Sequence, residues 1–228
     1  MSTDGVLLID KPRGITSHDV VARVRGALGG ARTGHAGTLD PFATGLLLVL
    51  VGRATKAQSR LMALPKTYET VAQLGATSTT GDPEGEIVQT LRLPPDPPPL
   101  PTGELRQRPP AHSAVKVGGE RAYKRARRGE LLEMPERIVT VSRFTQTWRE
   151  PDPVFPGLQR AGFEIECGSG TYVRSLIADL GDAYCLELRR TAIGPFAVAD
   201  AIAPPPPRAP RWADPPVVEL ERALALLP

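Results

Sequence analysis

The feature that most restricts this 228-residue chain is the uninterrupted apolar run Leu46–Val51. Six consecutive side chains that avoid water read as a strand covered on both faces, at the centre of a sheet. The run is far too short to span a bilayer. The stretch before it, TGHAGTLDPFATG at residues 33–45, holds three glycines, a proline and three threonines. That composition predicts an ordered loop rather than a regular element.

The rest of the chain alternates strand and helix signals without a regular βαβ repeat. Val6–Ile9 reads as a short buried strand ended by a Pro-Gly turn at Lys11–Gly14. Ser17 is placed to cap a helix with Val20, Val21, Val24, Ala27 and Leu28 on one face, ended by Gly29 and Gly30. Thr55 is placed to cap a helix running to about Leu64, and Tyr68–Leu74 alternates like a half-buried strand. A polar loop at Thr77–Gly85 leads to a strand start at Ile87 and Val88. Residues 94–110 carry eight prolines and predict an extended, poorly regular segment. Ser113–Val117, Gly118-Gly119 and the basic stretch ERAYKRARR follow as strand, turn and helix. Ile138–Phe144, Phe163–Cys167 and Leu188–Ile193 read as strands, and Thr171–Leu180 as a helix closed by Gly181. Residues 204–216 are again proline-rich, before a last helix over Val217–Leu227. These elements predict an α+β fold: a mixed, mostly antiparallel central sheet flanked by helices and loops. No internal repeat is present.

Composition removes several function classes. The two cysteines, Cys167 and Cys185, form no CxxC pair, and with three histidines no zinc pattern can be assembled. Both cysteines sit among apolar residues, which fits packing in a reducing cytosol. Val6–Ile9 is too brief for a signal peptide. No GK[ST] follows the glycines of the 33–45 loop, so it is not a phosphate-binding P-loop. The net charge of +3 is mild. Residues 120–128, however, carry Arg121, Lys124, Arg125, Arg127 and Arg128 against Glu120 alone, a local +4.

Four features could carry chemistry, and each has a plain reading beside it. Asp40 sits on the glycine-rich loop, where catalytic groups are often held, yet Asp before Pro also starts turns. Arg174 falls in the first turn of a helix after GSGTY. It is either a surface arginine or an inward one needing an acidic partner. Tyr68 in KTYE is either packing or a platform for a ligand ring. The basic stretch is either a solvated face or a phosphate contact, where Tyr123 could stack on sugar or base.

Taken in order, the segments GVLLIDKPRGITSHDVV, GHAGTLDPFATGLLLVLVGRATK, KTYE, PPAHSAVKVGGERAYKRAR, GSGTYVRSLIADLG and LRRTAIGPF resemble the bacterial tRNA pseudouridine-55 synthases of the TruB family. The likeness runs from about residue 5 to residue 200. It implies a pseudouridine synthase fold and isomerisation of a uridine in the tRNA T loop. The base is flipped out and its glycosidic bond is rearranged without a cofactor or a metal. The resemblance makes Asp40 the catalytic carboxylate, paired with Arg174, and has Tyr68 stack on the target base. It implies that His35 props the flipped-nucleotide region and that Tyr172 and Leu188 line the uracil pocket. Lys11 and Asp82 match positions near the site. The basic cluster would then contact the RNA backbone of the T arm. The implied enzyme is a cytoplasmic monomer that needs no protein partner and no membrane.

Three departures from the family pattern shape further expectations. His112 stands where the family carries a tyrosine. The segment LPPDPPPLPTGELRQ replaces a normally helical region. Only about 28 residues follow Asp200, too few for the RNA-binding PUA domain usual in the family. The expected organisation is a catalytic domain over 1–203, with an RNA-binding insertion at about 94–130 and a proline-rich tail with a short helix at 204–228.

Overall fold

The computed structural model describes residues 4–226 except Ala114. Ala114, inside the expected 113–117 strand, and Leu227, the expected end of the last helix, lie outside the described residues. The first elements are β1 (Gly5–Lys11), α1 (Ser17–Ala27), β2 (Thr33–His35), β3 (Thr44–Val51), α2 (Gln58–Ala63) and β4 (Lys66–Leu74). Then come β5 (Ala76–Ser78), β6 (Ile87–Gln89), β7 (Gly103–Gln107), β8 (Lys116–Val117), β9 (Glu120–Arg121) and α3 (Ala122–Ala126). The chain ends with β10 (Arg137–Pro151), β11 (Gln159–Cys167), α4 (Val173–Ala178), β12 (Ala183–Ile193), β13 (Phe196–Ala197), β14 (Val218–Glu219) and α5 (Leu220–Ala225). The class is α+β, as the alternation predicts. Among the described residues no helix is long and apolar enough to cross a membrane.

The chain forms two compact units. One comprises the chain up to Tyr68 and from Arg189 onward, the other Glu69–Leu188. In the first, β3 pairs antiparallel with β1 from Gly45↔Lys11 to Val51↔Gly5. β2 flanks the end of β3, Thr33↔Val51 to His35↔Val49, and β12 runs parallel to its start at Thr44 and Gly45. Successive side chains on a strand point to opposite faces. Leu47, Val49 and Val51 therefore pack with Leu7, Ile9 and the Val20, Val21, Val24 and Leu28 stripe of α1. Leu46, Leu48 and Leu50 pack on the other side with Val6, Leu8, Leu61, Leu64, Ile193 and Phe196. Both faces of β3 are covered, which is why its sequence is continuously apolar. Each fully buried leucine contributes roughly 1.5–3 kcal/mol.

Three local expectations are corrected in this unit. Thr16, not Ser17, caps α1, through a capping box with Asp19 worth about 1 kcal/mol. The 33–45 loop is shorter than its composition implies, because Thr33–His35 pairs with β3. Thr55 caps nothing: a 3-10 turn over Gly52–Ala57 precedes α2, and the Thr55 hydroxyl donates to the Gly52 carbonyl at 2.8 Å.

In the second unit the strand order is β12–β4–β11–β10–β7. β7 lies inside the proline-rich segment expected to be irregular, and pairs with β10 from Gly103↔Val141 to Gln107↔Arg137. It is an edge strand, the place where flanking prolines are tolerated. The expected polar loop at 77–85 begins as β5, which pairs with β6. The basic stretch is not one helix. Glu120 and Arg121 form β9 of a hairpin with β8, and α3 covers only Ala122–Ala126. The last expected helix begins later, at Leu220, after β14 has paired with β1.

Candidate active site

The candidate residues fall in both units. In the first, Asp40 stands on the loop between β2 and β3, with its side chain part-exposed. The backbone around it is tightly held. The buried Ser17 hydroxyl accepts from the Leu39 N–H at 2.9 Å and donates to the Leu39 carbonyl at 3.1 Å. The Asp40 carbonyl accepts from the Ala43 N–H at 3.1 Å, and the Pro41 carbonyl from the Gly14 N–H at 2.8 Å. Lys11, fully buried, directs its Nζ to the carbonyls of Pro12 at 2.9 Å, Ile15 at 2.8 Å and Pro41 at 3.3 Å. Arg190, 1% exposed, donates to the Leu46 carbonyl at 2.8 Å and to the Gly37 carbonyl at 3.0 Å. A longer contact of 3.5 Å reaches the Thr38 carbonyl. The loop closes on Gly45, whose φ is +100° and whose hydrogen faces Arg190. A Cβ there would lie 2.3 Å from the Arg190 carbonyl, so only glycine lets β12 approach.

His35, at the end of β2, stacks edge-on against His18 with ring centroids 5.6 Å apart. Burial pushes its pKa down to about 4, and the nearby charges of His18 and Arg190 add to the effect. The ring is therefore neutral at physiological pH. Its Nδ1 is buried without a hydrogen-bond partner. Tyr68, on β4, is buried.

In the second unit Arg174 points inward, from the first turn of α4, and is 3% exposed. Its Nη1 meets Asp82 Oδ2 at 2.9 Å and the Thr80 carbonyl at 2.7 Å, and its Nη2 donates to the His112 carbonyl at 2.8 Å. Asp82 is equally buried and organises the β5–β6 loop, its Oδ1 accepting from the Glu84 N–H at 3.0 Å and from the Thr80 hydroxyl at 2.5 Å. Tyr172 precedes α4. Its N–H donates to Gln107 Oε1 at 2.8 Å and its carbonyl accepts from Gln107 Nε2 at 3.0 Å. The Arg137 guanidinium lies over the Tyr172 ring at 5.8 Å. Leu188 is buried on β12.

The basic hairpin is partly neutralised from within. Arg128 forms a two-pronged pair with Glu120 at 2.9 and 2.8 Å and also reaches Glu130 at 2.7 Å. Arg125 holds Glu130 at 2.6 Å. Both glutamates have lowered pKa values because of these arginine hydrogen bonds. Lys124, Arg121 and Arg127 are exposed, and Arg127 lies over the Tyr123 ring at 5.7 Å.

The fold thus joins Arg174 to Asp82, and Lys11 to the loop that carries Asp40. Sequence reasoning missed Ser17, Arg190 and Gln107. A usable signal existed for Arg190: it is two residues after Leu188 on a strand, and therefore on the same buried face.

The family model for the N-terminal domain of TruB family pseudouridylate synthases matches residues 25–173. The chain is 46% identical over 219 residues to tRNA pseudouridine synthase B of Thermobifida fusca (strain YX), covering 87% of this chain and 72% of that protein. To tRNA pseudouridine synthase B of Opitutus terrae it is 43% identical over 215 residues, covering 87% and 85%. Among solved structures it is similar to a chain in the crystal structure of a Cbf5-Nop10-Gar1 complex, with TM-score 0.62 and 31% identity over 86% of this chain. The chain spans 50% of that solved relative.

Proposed function

Because this chain belongs to the TruB family of pseudouridylate synthases, we propose that it isomerises uridine to pseudouridine in tRNA, at uridine 55 of the T loop, with Asp40 as the catalytic carboxylate. The observation that carries the assignment is the loop itself: a part-exposed carboxylate on a backbone whose neighbouring carbonyls are all engaged. A reacting group must be held in place before it reacts, and this loop spends buried donors on doing so. In the proposed reaction the C1′–N1 bond of the uridine breaks and the base turns while held. A C1′–C5 bond then forms, the C5 proton leaves to solvent and N1 takes up a proton from solvent in its place. Atoms balance without a cofactor.

The family resemblance assigns the other roles. Arg174 keeps Asp40 ionised, because a nearby guanidinium favours the charged carboxylate. Tyr68 stacks on the base, Tyr172 and Leu188 line its pocket, and His35 props the flipped nucleotide. Asp82 and Lys11 hold Arg174 and the Asp40 loop, as the hydrogen bonds above support. Extrusion of the base costs a few kcal/mol, less in a loop where stacking is already incomplete. Basic residues of the 116–130 hairpin supply phosphate contacts. Higher identity to the tRNA enzymes than to the chain of the Cbf5-Nop10-Gar1 complex supports action on tRNA without such partner proteins.

The test uses purified protein and unmodified tRNA carrying tritium at uridine C5. Asp40→Ala should abolish tritium release while leaving tRNA binding largely intact. Release within about tenfold of the wild-type rate would refute the assignment.

A further inference from the structure

We infer that Arg190 and Ser17 are positioning residues, which set the Asp40 carboxylate through the backbone of its loop; the inference rests on the assignment of Asp40 above. Arginine cannot shed its charge in a protein, so a guanidinium only 1% exposed is a costly use of a β12 position. An aliphatic side chain would pack there at lower cost. Arg190 spends its donors on carbonyls at both ends of one loop: Gly37 at 3.0 Å before Asp40, and Leu46 at 2.8 Å after it. The guanidinium brings a separate nitrogen to each carbonyl, Nε to Leu46 and Nη2 to Gly37, where a lysine at this position would bring one.

Ser17 supports the same reading independently. It lies beside the helix cap, but Thr16 does the capping. The Ser17 hydroxyl instead satisfies both backbone groups of Leu39, the residue before Asp40. With the Asp40 and Pro41 carbonyls held by Ala43, Gly14 and Lys11, the carbonyls from Gly37 to Pro41 are all engaged. A loop with glycines at φ +97° and +100° has little stiffness of its own. Its geometry is therefore imposed from outside, by buried side chains that need not touch the substrate. Displacement of a reacting group by about 1 Å can cost roughly 10²-fold in rate.

The experiment compares Ser17→Ala, Arg190→Lys, Thr16→Ala and Asp40→Ala in steady-state turnover of unmodified tRNA. Rates are normalised to the fraction of protein that is folded. Ser17→Ala and Arg190→Lys should lower kcat by roughly 10- to 100-fold, with KM for tRNA within about threefold of wild type. Thr16→Ala removes the cap of the same helix, and should lower the melting temperature while leaving normalised kcat unchanged. Normalised kcat within about twofold of wild type for both Ser17→Ala and Arg190→Lys would overturn the inference, as would losses no larger than that of Thr16→Ala. Should Arg190→Lys not fold, Ser17→Ala decides alone. An inactive Asp40→Ala beside fully active Ser17→Ala and Arg190→Lys removes only the positioning role. An active Asp40→Ala removes the assignment of Asp40 and the positioning role together.

Discussion

Replacing Asp82 by alanine tests the polar core of the second unit. Asp82 and Arg174 meet at 2.9 Å with side chains 6% and 3% exposed, so neither charge has much water to fall back on. Removing one partner of such a pair costs about 3–5 kcal/mol, because the other charge is left buried. Two terms adjust that figure. Arg174 keeps the Thr80 and His112 carbonyls and, in the proposed site, the Asp40 carboxylate, which favours the lower end. The Glu84 N–H and the Thr80 hydroxyl lose their acceptor, which adds about 1 kcal/mol. The expected loss is about 4 kcal/mol for Asp82→Ala. Asp82→Asn keeps an acceptor oxygen but loses the charge, and should cost about 2 kcal/mol. Urea unfolding followed by the fluorescence of Trp148, on β10 of the same unit, reads both. The decisive variant is the double one, Asp82→Ala with Arg174→Met. With the buried cation gone, it should be no less stable than Asp82→Ala alone, and with Arg174→Met alone costing about 3 kcal/mol by the same argument the coupling is about 3 kcal/mol. If the two single losses add to within about 0.5 kcal/mol, the two side chains do not act as a pair.

Two further predictions follow from the site and the hairpin. His35 has its pKa lowered from 6.5 to about 4 by burial, so on acidification the unfolded chain binds the proton first. The stability of the neutral ring is intact above pH 6.5 and drains as pH falls toward 4, by up to about 3 kcal/mol. His35→Gln should flatten that decline in pH-dependent unfolding, and parallel curves for the two proteins would contradict the burial argument. On the hairpin, Lys124→Glu with Arg127→Glu should weaken tRNA binding and reduce its salt slope by roughly one for each phosphate that is no longer neutralised. Arg128→Ala releases Glu120 instead, leaving Glu130 to Arg125, and should change the slope by less. Equal slope changes would show that Arg128 also touches phosphate.

The residues that are legible in the sequence share one property: their environment is fixed by near neighbours in the chain or by burial on every side. Leu46–Val51 announces a central strand because both of its faces are covered. The helix stripe from Val20 to Leu28 shows in its spacing alone. The misreadings begin where a distant partner decides. Thr33–His35 looks like loop until β3 pairs with it. Gly103–Gln107 looks irregular among prolines until β10 supplies an edge. Ser17 looks like a cap because serine commonly is one, while its actual partner is Leu39, 22 residues on. The basic stretch looks like one charged helix until β8 pairs with its first two residues, Glu120 and Arg121.

Arg174 and Arg190 show how far the pattern can be pushed. An inward-facing arginine requires acceptors, and Arg174 does find a carboxylate, Asp82, 92 residues away. The strand alternation that buries Leu188 buries Arg190 as well, two residues later on the same face. The alternation therefore predicts a buried cation, but not its targets, since those come from β12 running parallel to the start of β3. A charged side chain on a face that periodicity marks as buried is thus a readable signal of a held backbone. Only the identity of the loop it holds stays hidden in the sequence, and in this fold it is the one that carries Asp40.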